Sequence, residues 1–329
     1  DLPGEVEFLF ALESDQDPAY SICARVRDQH PTRAIRVILT GPAGARMGKQ
    51  HNLAVAAREA RYAVIGSMDA DVAVDPDTLR LALDALRDPT TGIAYFLPCY
   101  QGPGPVGGTG VALYTNYSFS PNMATLALRG GQHFIIGSLW VLRKETLARI
   151  GGFEPFGATV SDDAAIGKAI ASAGLKNVLI PRRVIIPFEP LGLAGGARHL
   201  LKWLAMLRAE GLGAYLTIWL LWHPILWSAV TLLGTLLAAL VLRRPPGSFA
   251  GYAAALLALA IVVRVSGAFQ LNRWVYHTPS LWLPLLLVPY ELLMVPLLFG
   301  AGLFRRTIVW RGRRYRLGHH GVIQAAAEV

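Results

Sequence analysis

Hydrophobic and polar positions fall into three regimes along the chain. Up to about residue 190, short apolar runs alternate with stretches of helical spacing, and polar or glycine-rich segments separate them. Runs at 5–12, 35–39, 63–66, 93–98, 134–142 and 178–186 read as strands, the 134–142 run interrupted by Gly137. Stretches at 19–30, 52–60, 76–86, 111–128, 145–150 and 161–173 read as helices. Polar or Gly/Pro-rich loops are expected at 13–18, 41–48 and 101–110. This alternation predicts an α/β domain of doubly wound type over residues 1–196.

The second regime is one amphipathic segment, 197–212, whose stretch ARHLLKWLAMLRA (197–209) carries His199, Lys202 and Trp203 close together on a helix. The third, 213–304, is nearly continuous apolar chain with three stretches, 215–242, 249–268 and 281–304, each long enough to cross a bilayer. Pro284, Pro289, Glu291 and Pro296 predict that the last is kinked or re-entrant, and Arg264 inside the second should face protein or water. A basic tail, 305–329, closes the chain, with His319-His320 expected to be mobile.

Three crossings would put that tail on the side opposite the first domain, whereas the positive-inside rule prefers both on the cytoplasmic side. Two crossings plus one interfacial or re-entrant segment remove the conflict. At its other end the chain opens on Asp1-Leu2-Pro3-Gly4 and runs into a strand at once, which suggests that it begins inside its first domain.

Composition sharpens this reading. The chain has 329 residues, a 53% hydrophobic share and a net charge of +9. Much of the charge sits in Arg305, Arg306, Arg311, Arg313, Arg314 and Arg316, next to an apolar segment. That arrangement fits an anionic membrane surface or an anionic substrate group, and argues against nucleic acid. Cys23 and Cys99 make no disulfide framework, and a preference for Arg over Lys is in keeping with a GC-rich bacterial source.

The chemistry-bearing residues lie at strand ends and helix starts. The 63–66 strand runs into Asp69-Ala70-Asp71, and ligands bind at the carboxyl ends of strands in open α/β sheets. Two carboxylates one residue apart can grip a divalent cation, whose remaining shell is filled by water and phosphate. The competing reading is a pair of ordinary turn aspartates. Ser161-Asp162-Asp163 opens a helix, where Ser161 is a candidate N-cap and acids are expected on electrostatic grounds alone. His199, Lys202 and Trp203 equally suit an interfacial helix with a snorkelling lysine and a membrane-edge tryptophan. His133 reads as structural, and no Cys/His zinc spacing, Walker loop or dinucleotide fingerprint is present.

In this order, Asp69-Ala70-Asp71, the segment SDDAAIGKAI from Ser161, HLLKW from His199 and WRGRRYRL from Trp310 resemble the ceramide glucosyltransferase family. That family is glycosyltransferase family 21, of GT-A type, and includes bacterial hopanoid-associated relatives. The resemblance implies a GT-A nucleotide-sugar domain followed by transmembrane and interfacial helices, with an N-terminal anchor and first strand missing here. It implies a divalent cation, Mg²⁺ or Mn²⁺, held with the diphosphate by Asp69 and Asp71. Asp163 would be the general base, with Asp162 beside it.

His199, Lys202 and Trp203 sit where the family has a Gln/Arg-x-x-Arg-Trp pattern, with His199 and Lys202 departing from it, and with Arg313 and Arg316 they would serve the acceptor or the diphosphate; lipid headgroups are the other role open to the arginines. Ser14 stands where the family has an Asp near the nucleotide base, leaving Glu13 or Asp15 to make the uracil contact. Lys49 and Asn52 would flank the nucleotide, against a plain solvated loop lysine.

The implied partners are a UDP-sugar donor, a membrane lipid acceptor and the bilayer. The expected activity is inverting transfer from UDP-glucose or UDP-N-acetylglucosamine to a ceramide-like or hopanoid hydroxyl, at the cytoplasmic face of a bacterial inner membrane. A processive polysaccharide synthase and a catalytically degenerate sugar-nucleotide-binding scaffold are the alternatives.

Overall fold

The computed structural model describes residues 4–101, 104–130, 133–188, 190–278, 282–310 and 313–328, with backbone alone for 324–328. The chain divides into two compact units. The first comprises Asp1–Leu97, Ala124–Ile185 and His320–Val329; the second comprises Pro98–Met123 and Ile186–His319. The expected boundary at residue 196 is therefore crossed in both directions. One middle stretch groups with the C-terminal helices, and the last residues return to the first unit.

The N-terminal half runs β1 (Glu7–Leu12), α1 (Tyr20–Gln29), β2 (Ala34–Leu39), α2 (Gly48–Glu59), β3 (Val64–Met68), α3 (Pro76–Ala85) and β4 (Thr91–Gln101). Then come α4 (Val106–Tyr114), a π-helical turn at Thr115–Phe119, α5 (Ser120–Leu128), β5 (Leu139–Arg143), α6 (Lys144–Arg149), α7 (Asp162–Ser172) and β6 (Lys176–Pro187). β1 and β2 pair in parallel. A second sheet has the order β3-β5-β4-β6, with β5 antiparallel to both β3 and β4.

The α/β class holds, with a mixed second sheet. β4 is buried almost throughout, as a central strand covered on both faces should be. Trp140 on β5 packs on Phe153 at 5.6 Å, and Ile166 and Ile170 of α7 are fully buried. α3 starts as its sequence predicts: the Asp75 side chain accepts from the Thr78 N–H at 2.8 Å, and Pro76 takes the first helical position.

Several local expectations change. The 134–142 run is strand only from Leu139, because Gly137 and Ser138 form a turn. α2 begins at Gly48, so Lys49 lies on a helix and not in a loop. Ser161 occupies the N-cap position of α7 but makes no side-chain capping bond. The 101–110 loop is helical from Val106, and residues 102–103 of it lie outside the described residues.

In the second unit, α8 (Leu193–Glu210) and α9 (Leu212–Leu221) are followed by α10 (Pro224–Val241) and α11 (Ser248–Leu271), which ends in a π-helical turn at Asn272–Tyr276. A composite segment follows: a 3₁₀ turn at Leu283–Leu286, α12 (Leu287–Pro289), a π-helical turn at Tyr290–Met294, and α13 (Val295–Phe304). β7 (Thr307–Trp310) and β8 (Arg313–Leu317) pair antiparallel. α4 and α8 approach so closely at Gly107 and Gly196 that a Cβ on either would collide with the other strand of backbone or its Gly192 neighbour.

Three segments, Pro224–Val241, Ser248–Tyr276 and Leu283–Phe304, are long and apolar enough to cross a membrane. The expected 215–242 stretch is broken: His223 leaves helical geometry (φ −126°, ψ 63°), and Pro224, lacking an N–H, starts a new helix. The 281–304 stretch is irregular as its prolines predict, and its first residue lies outside the described residues. Arg264 does face protein. Its guanidinium pairs with Glu291 at 2.7 Å and donates to the Tyr117 carbonyl at 2.7 Å and the Ser118 hydroxyl at 3.0 Å.

The chain end is ordered where a mobile tail was expected. His319 and His320 belong to a short 3₁₀ turn, and β9 (Ile323–Glu328) follows. Within the first unit, the Gly321 carbonyl accepts from Val160 N–H at 3.0 Å, and Ile323 N–H donates to the Ala158 carbonyl at 2.8 Å.

Candidate functional site

Three segments of the first unit converge on one cluster of charge. β3 ends at Met68, and the Asp69 N–H donates to the Ser138 carbonyl at 3.0 Å, which ties the Asp69–Val72 turn to the start of β5. A Val72 N–H to Asp69 carbonyl bond closes that turn and leaves Asp71 exposed at its tip. α7 delivers Asp162 and Asp163 in its first turn. α2 delivers Lys49 near its own N-terminus, where a cation is electrostatically out of place. The tertiary partners explain it: Lys49 Nζ lies 3.0 Å from Asp69 Oδ1 and 3.8 Å from Asp162 Oδ2. Lys49 is thus the central cation of a carboxylate cluster, and the solvated-lysine reading is set aside.

Gly137 completes the cluster. Its N–H donates to Asp163 Oδ2 at 2.9 Å, and its carbonyl accepts from Lys49 at 3.5 Å. A Cβ at this position would collide with the Asp163 carboxylate, so only glycine lets the acid sit on the backbone. The sequence carried a signal for this, a glycine interrupting an apolar run, which marks a close backbone approach.

Burial shapes the electrostatics. Desolvation raises the Asp163 carboxyl above the usual carboxylate range, the neighbouring Asp162 and the Asp69 charge add to this, and Lys49 and the Gly137 N–H only partly oppose it. The helix start favours the charged carboxylate, but burial and like charge outweigh it. Burial raises Asp69 as well, against the pull of Lys49. For Lys49, burial works toward the neutral amine, but Asp162, Asp163 and Asp69 together hold the ammonium above its ordinary value.

Other expected residues stand elsewhere. Glu13 and Asp15 lie in the loop at the carboxyl end of β1, where Gly41 N–H donates to the Glu13 carbonyl at 3.1 Å. Ser14 turns that loop by accepting from Gln16 N–H at 3.3 Å. Asn52 is committed to the scaffold. Its amide donates to the Ala11 carbonyl at 3.1 Å and accepts from the Thr40 hydroxyl at 2.8 Å, which clamps the ends of β1 and β2.

The second unit holds a separate basic–aromatic cluster. Along α8, Gly196, Leu200, Leu204 and Ala205 form the buried stripe, and His199, Lys202 and Trp203 lie half-buried on its flank. The His199 ring meets Trp203 edge-on at 4.4 Å, and Tyr114, which the sequence did not single out, stands 6.4 Å from Trp203. Lys202 Nζ sits 4.5 Å over the Trp310 ring. A lysine held against an indole face is engaged with protein, and is not snorkelling to lipid headgroups.

Asp69 and Asp71 offer hard oxygen donors from one turn. Among the described residues no group of three or more His, Cys, Asp or Glu side chains forms a protein metal cage. The donor set therefore suits a cation that shares its coordination with phosphate oxygens, as Mg²⁺ does, and does not suit an all-protein site.

Comparison with known proteins agrees with this architecture. The family model of glycosyl transferase family 21 matches residues 4–323. Ceramide glucosyltransferase 1 of Caenorhabditis elegans is similar, with 25% identity over 178 residues, covering 53% of this chain and 37% of that protein. The chain thus spans under half the length of that relative. With the family match covering nearly every residue, this chain belongs to glycosyl transferase family 21.

Proposed function

We propose that this glycosyltransferase moves a sugar, with inversion, from a UDP-linked donor to the hydroxyl of a membrane lipid of ceramide or hopanoid type. The observation that carries the reading is Asp163, seated on the Gly137 N–H at 2.9 Å with its carboxyl raised toward the range useful to a general base. In the reaction, Asp163 accepts the proton of the acceptor hydroxyl as that oxygen bonds the anomeric carbon. The bond from that carbon to the nucleotide diphosphate breaks, and the diphosphate leaves with the electron pair. Lys49 holds Asp69 and Asp162 in place and keeps the cluster from accumulating unopposed negative charge. A divalent cation held by Asp69 and Asp71 would neutralise the departing diphosphate.

The test is a transfer assay on the protein in nanodiscs, with labelled UDP-glucose and UDP-N-acetylglucosamine offered separately against a mixed lipid extract. A glycolipid that forms with Mg²⁺ or Mn²⁺ and is lost with chelator supports the reading. A folded protein that neither makes glycolipid nor releases UDP would sink it in favour of the scaffold alternative. In the same assay Gly137→Ala is expected to slow transfer by about 100-fold, the scale for a misplaced reacting group. An unaltered rate would detach Gly137 from the site.

The membrane reading follows from connectivity. Only residues 188–192 separate β6 from α8, and the chain between α13 and His320 is spent on the β7–β8 hairpin, which returns it toward its start. We read both ends of the helical segment as lying on one side of the membrane, which makes the number of crossings even.

α10 and α11 are the two spans. Only 17% and 11% of their windows are buried, against 44% for Leu283–Phe304, whose α13 lies against α8 and α9. The latter is the re-entrant or interfacial segment, and Arg305, Arg306, Arg313, Arg314 and Arg316 stay on the catalytic side. With only Arg243 and Arg244 at the α10–α11 tip, the charge balance favours a cytoplasmic catalytic side. Gly247→Cys in a Cys23→Ser background should react only with a reagent applied to the face opposite a C-terminal tag. Labelling of both from one face would overturn the two-span arrangement.

A further inference from the structure

We infer that the end of the chain, His320–Ile323, is a positioning element for the reaction: it braces residues 158–161, with Thr159 as the side chain that carries the brace, and so sets where α7 holds Asp162 and Asp163. The consequence for catalysis rests on the general-base reading of Asp163 given above; the brace itself rests on bonds within the first unit.

Residues 157–161 join the two helices of the acid cluster. At one end the Gly157 carbonyl accepts from the Met47 N–H at 2.8 Å, and Met47 is the N-cap of α2, just ahead of Lys49. At the other end Ser161 is the N-cap of α7. Between them Thr159 faces Val322 in an antiparallel bridge. The Val160 N–H donates to the Gly321 carbonyl at 3.0 Å on one side of that bridge, and the Ile323 N–H donates to the Ala158 carbonyl at 2.8 Å on the other. Thr159 and Val160 are buried, so water is a poor substitute for these partners.

The Thr159 hydroxyl links the bridge to the helix. It donates to the Gly321 carbonyl at 3.3 Å and accepts from the Ser161 N–H at 3.2 Å. Ser161 makes no side-chain capping bond of its own, so the entry to α7 is anchored through Thr159. The helix start has two further anchors, the Ile135 N–H on the Asp163 carbonyl at 3.3 Å and the Gly137 N–H on the Asp163 carboxylate. The turn that delivers the brace uses His320 (φ 55°, ψ 34°) and Gly321 (φ 67°), both in the left-handed region. Glycine takes that conformation freely, whereas a histidine holds it only where the surrounding structure imposes it.

The experiment uses the full chain in nanodiscs and three variants. Thr159→Val keeps the shape and removes both hydroxyl bonds, Thr159→Ser keeps the hydroxyl, and Ile323→Pro removes the donor to Ala158. Thr159→Val should lower kcat by about 10-fold with the donor KM within about 2-fold, the signature of a loss felt in the transition state. Its acid limb should move to lower pH, because a loosened helix start readmits water to Asp163. Thr159→Ser should restore both. Hydrogen exchange in peptides spanning 134–141 and 157–166 should quicken by about 5-fold in Thr159→Val and Ile323→Pro, the scale of one lost hydrogen bond, with β4 unaltered. Exchange that quickens uniformly, a lowered melting temperature with kcat and the acid limb in place, or a Thr159→Ser variant no better than Thr159→Val would each overturn the inference. Exchange keeps the two claims apart. A protein whose local exchange responds as expected but which transfers no sugar keeps the brace and loses the transferase reading. One that shows the acid limb but is unaffected by Thr159→Val keeps the base and loses the brace.

Discussion

Asp163→Asn is expected to slow sugar transfer by about 10²–10⁴-fold, the usual worth of a positioned general base, while UDP affinity stays within about 2-fold. Asparagine preserves the shape and can still accept the Gly137 N–H, so the loss would report the missing base. The same side chain sets the pH dependence. Its pKa is raised by burial and by Asp162, so it holds its proton to higher pH than an ordinary aspartate. Because the base must be ionised, kcat/KM should fall as pH drops through that raised value and level off above it. Asp163→Asn should lose this limb, and Asp162→Asn should move it to lower pH by removing a like charge. An Asp163→Asn variant with full activity, or a wild-type profile with no acid limb between about pH 5 and 9, would remove the base assignment.

The second large effect is on stability. Arg264→Leu is expected to destabilise the protein by about 3–5 kcal/mol, the scale for stranding a buried charge. Glu291 has no exposed surface, and one of its oxygens receives Arg264 at 2.7 Å while the other accepts from Ile225 N–H at 3.2 Å. Removal of the arginine leaves that carboxylate without its cation and also frees the Tyr117 carbonyl and the Ser118 hydroxyl. The double variant Arg264→Leu/Glu291→Leu should recover most of the loss, because no uncompensated charge remains. Thermal unfolding in detergent separates the cases. A double variant as unstable as the single one would mean that the polar network, and not the charge balance, holds these helices.

Much of the candidate site was readable from residue order. An apolar strand that ends in Asp-x-Asp and a helix that opens on Asp-Asp are local patterns, and local patterns survive folding. Lys49 was readable only as an alternative. A lysine in the first turn of a helix breaks a local rule, and the reason lies in carboxylates distant in sequence. Gly137 was visible as an interruption, but its use as the seat of Asp163 required α7 and the β5 turn to meet. Asn52 shows the converse: a polar residue in the right region proved to be bonded to β1 and β2. Tyr114 left no trace, because an aromatic residue on an apolar helix looks like any other core residue.

The sequence by itself determined the family, the α/β class, the acidic strand end, the helix-opening acids and the apolar helices. Each of these depends on periodicity or on residues a few positions apart. Only the tertiary structure decided that Lys49 neutralises the acid cluster, that burial and Asp162 raise Asp163, and that Arg264 is paired with Glu291. These are matters of burial and of long-range partners. Desolvation and Coulomb interaction of this kind act only once distant segments are in contact, so no reading of neighbours along the chain supplies their sign.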